Sequence, residues 1–178
     1  MKPHLLAVAS LLAAALSLPL GAAGSSDSEI QRELRGYHLI RQIEGVAEHA
    51  DNGSSLGLYR GVTQDRHRTR VLNFEIWKSS EIFVERYFFT SGRLTRVRTL
   101  TFPYAYDYKR QQLDPAQARL SRSELVDLTE RGSQRKRLIL EIDQRGESKR
   151  FVEAVSPQQI EKIKVEFRRL NARLARSY

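Results

Sequence analysis

The sequence predicts an α+β domain in which an antiparallel β-meander sheet packs against N-terminal and C-terminal amphipathic helices. Three observations predict it. Apolar and polar side chains alternate with a two-residue period over 72–76 and again around 138–142, and 81–90 is apolar on both faces. Turn signals separate these runs. An apolar period near 3.6 residues appears at either end of what remains once a leader-like segment is set aside.

That segment is residues 1–24, which read as a secretory signal peptide. Lys2 supplies a short positive region, and Leu5 to Leu18 is an uncharged apolar run shorter than the ~20 residues of a membrane span. Small residues follow at Gly21-Ala22-Ala23-Gly24, where cleavage after Ala23 or Gly24 is expected, and then the polar Ser25-Ser26-Asp27-Ser28. No Cys stands at the boundary to accept a lipid, and no twin arginine precedes the apolar run. The expected location is periplasmic or secreted, with no transmembrane span in the mature chain. Residues 25–178 are expected to form one domain, long enough to bury ~70% of its chain surface. The chain has no Cys, so thiolate chemistry and disulfides are excluded and the core alone must hold the fold.

The first element reads as a helix. Ser26 and Glu29 have capping-box spacing, and Ile30, Leu34, Tyr37, Ile40, Ile43, Ala47 and Ala50 recur near a helical period. Gly36 and Gly45 each weaken such a helix by ~1 kcal/mol relative to Ala. Asn52-Gly53-Ser54-Ser55 ends it.

A meander over 57–102 follows. Leu58 to Val62 is a short strand. Leu72, Phe74 and Ile76 alternate with Asn73 and Glu75, as in a half-buried strand. Glu81 to Thr90 carries Ile82, Val84 and Phe88 on one side and Phe83, Tyr87 and Phe89 on the other, which suits the centre of a covered sheet. Ser79-Ser80 and Ser91-Gly92 supply turns. Arg93 to Phe102 is a third strand, stopped by Pro103.

The connection over 103–123 reads as extended through Tyr108, with Asp114-Pro115 able to start a short helix. A second meander covers 124–155, with turns at 131–133 and 144–147; its first piece, 124–130, fits strand or helix. The last element, 156–176, is the clearest helix. Ser156 caps it, Pro157 takes the first helical position and Gln159 completes a capping box. Ile160, Ile163, Phe167, Leu170 and Leu174, spaced 3, 4, 3 and 4, form one stripe suited to packing on the sheet.

Motifs that would carry catalysis fail on context. Gly53-Ser54-Ser55-Leu56-Gly57 matches G-x-S-x-G, but a nucleophile elbow needs a strand before the Ser and a helix after it, and the reading here is the reverse. The mature chain holds His38, His49 and His67 without metal-ligand spacing; on a shared helix His38 and His49 would stand ~16 Å apart. No metal or other cofactor is implied. Glu75, Glu81 and Glu85 are not distinguishable from ordinary strand positions.

Charge gives the better-posed expectation. The formal net charge is +9, and loss of Lys2 with the leader makes it +8. Such a balance in an exported chain suits an anionic envelope component or an acidic protein, and makes nucleic acid a poor partner. Arg66, Arg68 and Arg70 lie at the start of one strand, and Arg93, Arg96 and Arg98 at the start of the next but one. In an antiparallel meander both starts fall at the same sheet end. Tyr104, Tyr106 and Tyr108 alternate in an extended segment, so three phenols are expected on one side as a stacking platform. The expectation is a non-catalytic binding protein using these residues; the alternatives are a carrier holding an apolar ligand between sheet and helices, and a small hydrolase.

Overall fold

Alternating side chains build a single antiparallel sheet that runs through both predicted meanders. The computed structural model describes residues 30–47, 50–63, 66, 68–129 and 135–177. Its strands are β1 (Tyr37–Glu44), β2 (Ser54–Gly61), β3 (Thr69–Trp77), β4 (Glu81–Thr90), β5 (Arg93–Pro103), β6 (Ala105–Asp107), β7 (Gln112–Asp114), β8 (Arg122–Asp127), β9 (Lys136–Ile142) and β10 (Ser148–Ala154). Eight form one sheet in the order β1-β2-β3-β4-β5-β8-β9-β10, and β6 and β7 pair separately as a hairpin between β5 and β8. The residues 124–127 are strand, part of β8, which joins β5 to β9. No helix among the described residues is long and apolar enough to cross a membrane. Residues 1–24, the predicted signal peptide, lie outside the described residues.

Tight turns set the register. Between β4 and β5, Ser91 and Gly92 both take positive φ, 51° and 76°, the backbone that a two-residue hairpin of type I′ requires. Between β9 and β10, the Asp143 carboxylate accepts from the backbone N–H groups of Arg145 and Glu147, each at 2.9 Å.

The C-terminal helix α1 (Pro157–Arg176) starts on a complete capping box. Ser156 Oγ accepts from the Gln159 N–H at 3.2 Å, and Gln159 Oε1 accepts from the Ser156 N–H at 2.8 Å. Its stripe of Ile160, Phe167, Leu170 and Leu174 is buried against Leu56, Leu72, Phe74, Tyr87, Phe89, Val97 and Val126 of the sheet. Tyr87 and Phe89 both stack on Phe167, with ring centroids 5.8 and 5.1 Å apart.

Among the described residues the predicted N-terminal amphipathic helix is not borne out. Ser26 and Glu29 lie outside the described residues, residues 30–32 are helical, and Tyr37 to Glu44 are strand β1, paired with β2. Two features override the helical period. Gly36 and Gly45 take positive φ at either end of the strand. The pairing shifts by one residue between Leu39 and Arg41, and that bulge moves later apolar residues to the opposite face. Leu39 therefore faces with Tyr59, while Ile43 sits opposite Leu56 on the α1 side.

Among the described residues, the second face of the sheet is covered by residues 30–35 and by the β7–β8 connection. Ile30 packs with Ile82, Val84, Leu100 and Phe102, together with Ala118 and Leu120 from the β7–β8 connection. Leu34 packs with Val71 and Phe88. Residues 30–35 thus form a strap across the middle of this face, with an apolar side chain set into each of two clusters.

Candidate functional site

The strap crosses the sheet where the sheet is polar. β4 and β5 place Arg86 directly opposite Arg98, and β3 places Asn73 opposite Arg86. All three side chains face the strap, between its two apolar clusters. Like charges directly opposite in a sheet repel, and Arg86 is fully buried. The counter-charge comes from the strap. Glu33 accepts from Arg86 Nη1 at 3.1 Å with one carboxylate oxygen and from Arg98 Nη1 at 3.0 Å with the other. Arg86 also donates to the Ile30 carbonyl and, through Nε, to Asn73 Oδ1 at 2.9 Å. Arg98 Nε donates to Ser123 Oγ at 3.2 Å. The Asn73 amide donates in turn to Glu75 at 2.6 Å.

Burial works against an ionised Glu33, but the guanidinium groups of Arg98, Arg86 and Arg96 outweigh it and hold the carboxyl below its ordinary range. Burial also lowers the pKa of Arg86, opposed by Glu33. Arg96 lies over the Phe88 ring at 4.2 Å, and its buried Nε has no acceptor among the described residues.

At one end of the sheet is a basic groove. The pairing of Thr69 with Thr90 and of Thr90 with Arg93 brings the starts of β3 and β5 to the same end as the Ser91-Gly92 turn. There, between this turn and α1, a groove of about 310 Å³ is lined by Arg93, Arg135, Lys164 and Arg168 over a floor of Leu94, Leu128 and Phe167. Lys164 and Arg168 stand on successive turns of α1 and both reach Glu161, at 3.5 and 2.8 Å. Among the described residues the charged lining of the groove is Arg93, Arg135, Lys164 and Arg168.

The six arginines singled out in the sequence are shared among different environments. Arg93 lines the groove. Arg68 and Arg70 are exposed. Arg66 is exposed, donates to the Arg35 carbonyl at 3.3 Å and lies over the Tyr37 ring at 5.5 Å. Arg96 and Arg98 belong to the strap face. The tyrosines also part company. Tyr104 is buried with Phe102 and Leu120, while exposed Tyr106 and Tyr108 meet edge to face, centroids 5.0 Å apart. Ser55 is buried within β2, opposite Glu75, so G-x-S-x-G is read on a strand and makes no elbow. His38 is exposed on β1; His49 and His67 lie outside the described residues. Among the described residues no three His, Asp or Glu side chains converge to hold a metal.

Sequence reasoning missed Glu33, Arg86, Arg135, Lys164 and Arg168. Arg86 carried a readable signal: it takes the same parity as Ile82, Val84 and Phe88 in a strand apolar on both sides, where a charge demands a buried partner. Glu33 had none, because its partners lie more than fifty residues away. Lys164 and Arg168, four apart beside Phe167, share a helix edge next to the apolar stripe. Comparison with protein-family models, with curated proteins and with solved structures finds no match to this chain.

Proposed function

We propose that this chain is a non-catalytic binding protein, exported to the periplasm or beyond, that holds a phosphate-bearing anionic component of the cell envelope in the groove between the β4–β5 turn and α1. The observation that carries the reading is the pairing of a cationic rim, Arg93, Arg135, Lys164 and Arg168, with the apolar floor of Leu94, Leu128 and Phe167. A phosphorylated headgroup offers charge to the rim and carbon to the floor. Arginine binds phosphate through two parallel N–H donors, which adds orientation to attraction. The volume, about 310 Å³, is at the small end of ligand sites and suits one headgroup with the start of its apolar body. Export is the reading supported by the charge, apolar length and small-residue boundary of residues 1–24.

The test is co-sedimentation with vesicles of phosphatidylcholine alone and of phosphatidylcholine mixed with phosphatidylglycerol. Binding is expected only to the anionic vesicles and is expected to weaken as salt rises. Each basic residue near such a surface contributes about 1 kcal/mol, so Arg93→Ser with Arg168→Ser together are expected to weaken binding about thirtyfold. Both side chains are exposed, so the fold tolerates their loss. Equal binding to both vesicle types, or a double variant that binds like the parent, overturns the proposal. Selective capture of an acidic protein in place of lipid also overturns it.

A further inference from the structure

We infer that the Arg86–Arg98 pair is a second binding site, for a carboxylate-headed amphiphile such as a medium-chain fatty acid, and that the strap is its internal occupant. The sheet does not need two arginines there. Replacing a buried ion cluster with packed apolar residues is often neutral or stabilising, and Val84, Leu100, Val71 and Phe88 flank the pair on the same face, beside the charged Arg96 and Glu75. Two guanidinium groups are held side by side, anchored from below by Asn73 and Ser123, with Nη groups directed out of the sheet toward the strap. One carboxylate bridges them, and it is the geometry that a free carboxylate would take.

The surroundings specify the rest of the ligand. On one side of the pair an apolar lane runs along β4 and β5 through Val84 and Leu100 to Ile82 and Phe102. From Arg86 to Ile82 it spans four residues, ~13 Å at ~3.3 Å per residue, the reach of an extended medium acyl chain. Ile30 of the strap covers part of this lane now, beside Tyr104, Ala118 and Leu120. The strap therefore supplies what such an acid would supply, a carboxylate on the guanidinium pair and an apolar group beside it. Among the described residues it is held by Ile30, Glu33, Leu34 and the carbonyls of Ile30 and Arg35, the last accepting from Arg66. Arg96 adds a third guanidinium with an unfilled donor next to the site. Opening the strap exposes a site that the closed form conceals, and the apparent affinity is the intrinsic one reduced by the open fraction.

Laurate below its micellar range is the probe, used with the full chain and read by calorimetry. Glu33→Gln, which removes the rival carboxylate, is expected to bind laurate about tenfold or more tightly than the parent. Arg98→Gln is expected to abolish binding, and Arg150→Gln on exposed β10 to leave it unchanged. Dodecanol, with the same chain and no charge, is expected not to bind measurably. Should Glu33→Gln fail to fold, Leu34→Ala loosens the strap while keeping the charges, and it too is expected to bind more tightly. Hydrogen exchange gives an independent reading: with laurate bound, the backbone amides of residues 33–37 lose protection. No laurate binding by the strap-weakened variants, binding indifferent to Arg98, or strap amides unmoved by saturating laurate each overturns the inference.

Discussion

Arg86 and Arg98 stand directly opposite each other on neighbouring central strands, and one carboxylate, that of Glu33, joins them at 3.1 and 3.0 Å. The arrangement ties a segment at the N-terminal side of the sheet to its middle. Glu33 is the counter-charge of both guanidinium groups, with Glu75 adding to it at Arg86, so loss of Glu33 alone is expected to harm the fold more than loss of all three.

Glu33→Gln is expected to destabilise the protein by about 3 kcal/mol, since breaking a buried pair leaves uncompensated charge behind. A domain of this size is stable by ~5–15 kcal/mol, so the variant remains folded. The triple variant Glu33→Leu, Arg86→Met, Arg98→Leu is expected to match the parent or exceed it. Urea unfolding checks both; a triple variant weaker than Glu33→Gln would contradict the account.

The same carboxyl sets an acid limit. The folded-state pKa of Glu33 lies below its unfolded value, so the unfolded chain binds more protons. Its stabilisation is present above the unfolded pKa and is lost as pH falls through the folded one. Glu85 works in the opposite sense. Burial, and then the Glu166 carboxylate, push its pKa up, against the Tyr87 hydroxyl that donates to it at 2.7 Å. Its contribution is fully present below the unfolded pKa and is lost as pH rises through the folded one. Acid unfolding of Glu33→Gln is therefore expected to be shallower than that of the parent. Glu85→Gln is expected to gain on the parent as pH rises from the unfolded pKa of Glu85 to its raised folded one and to keep that gain above it, measured as Tm across pH 3–8.

On α1 the three kinds of position predict three sizes of effect. Leu170 is fully buried, and Leu170→Ala is expected to cost about 2–5 kcal/mol through lost burial and the cavity left behind. Ser156→Ala removes the cap and costs about 1 kcal/mol. Val165→Ala, on the exposed side of the helix, changes stability by less than about 0.5 kcal/mol. Chemical denaturation ranks the three, and a Val165 effect as large as that of Leu170 would mean α1 packs differently.

Legibility followed the range of the interaction that decides each element. The capping box and apolar stripe of α1 act within a few residues, and the helix stands where they place it. β3 was readable because half-burial leaves an alternating mark, and β4 because a covered strand is apolar on both faces. β1 was misread as helix because the bulge at Leu39–Arg41 shifts the alternation by one residue. Tyr37, Ile40 and Ile43 then imitate a helical spacing in a strand whose partner lies elsewhere in the chain. The arginines at the strand starts were visible as a class. Their division between exposed groove and buried strap face was not, since strand parity alone does not say which face a distant segment covers.

By itself the sequence determined strands β3, β4 and β5, a turn at Ser91-Gly92 and the capped terminal helix, because backbone propensity and period are local properties. Only the tertiary structure decided that Glu33 meets Arg86 and Arg98, that Tyr104 leaves its two neighbours for the core, and that Lys164 and Arg168 join Arg93. Each of these meetings closes a long loop of chain, and the energy that selects it is shared among burial, charge and packing at once. No stretch of neighbouring residues carries that sum.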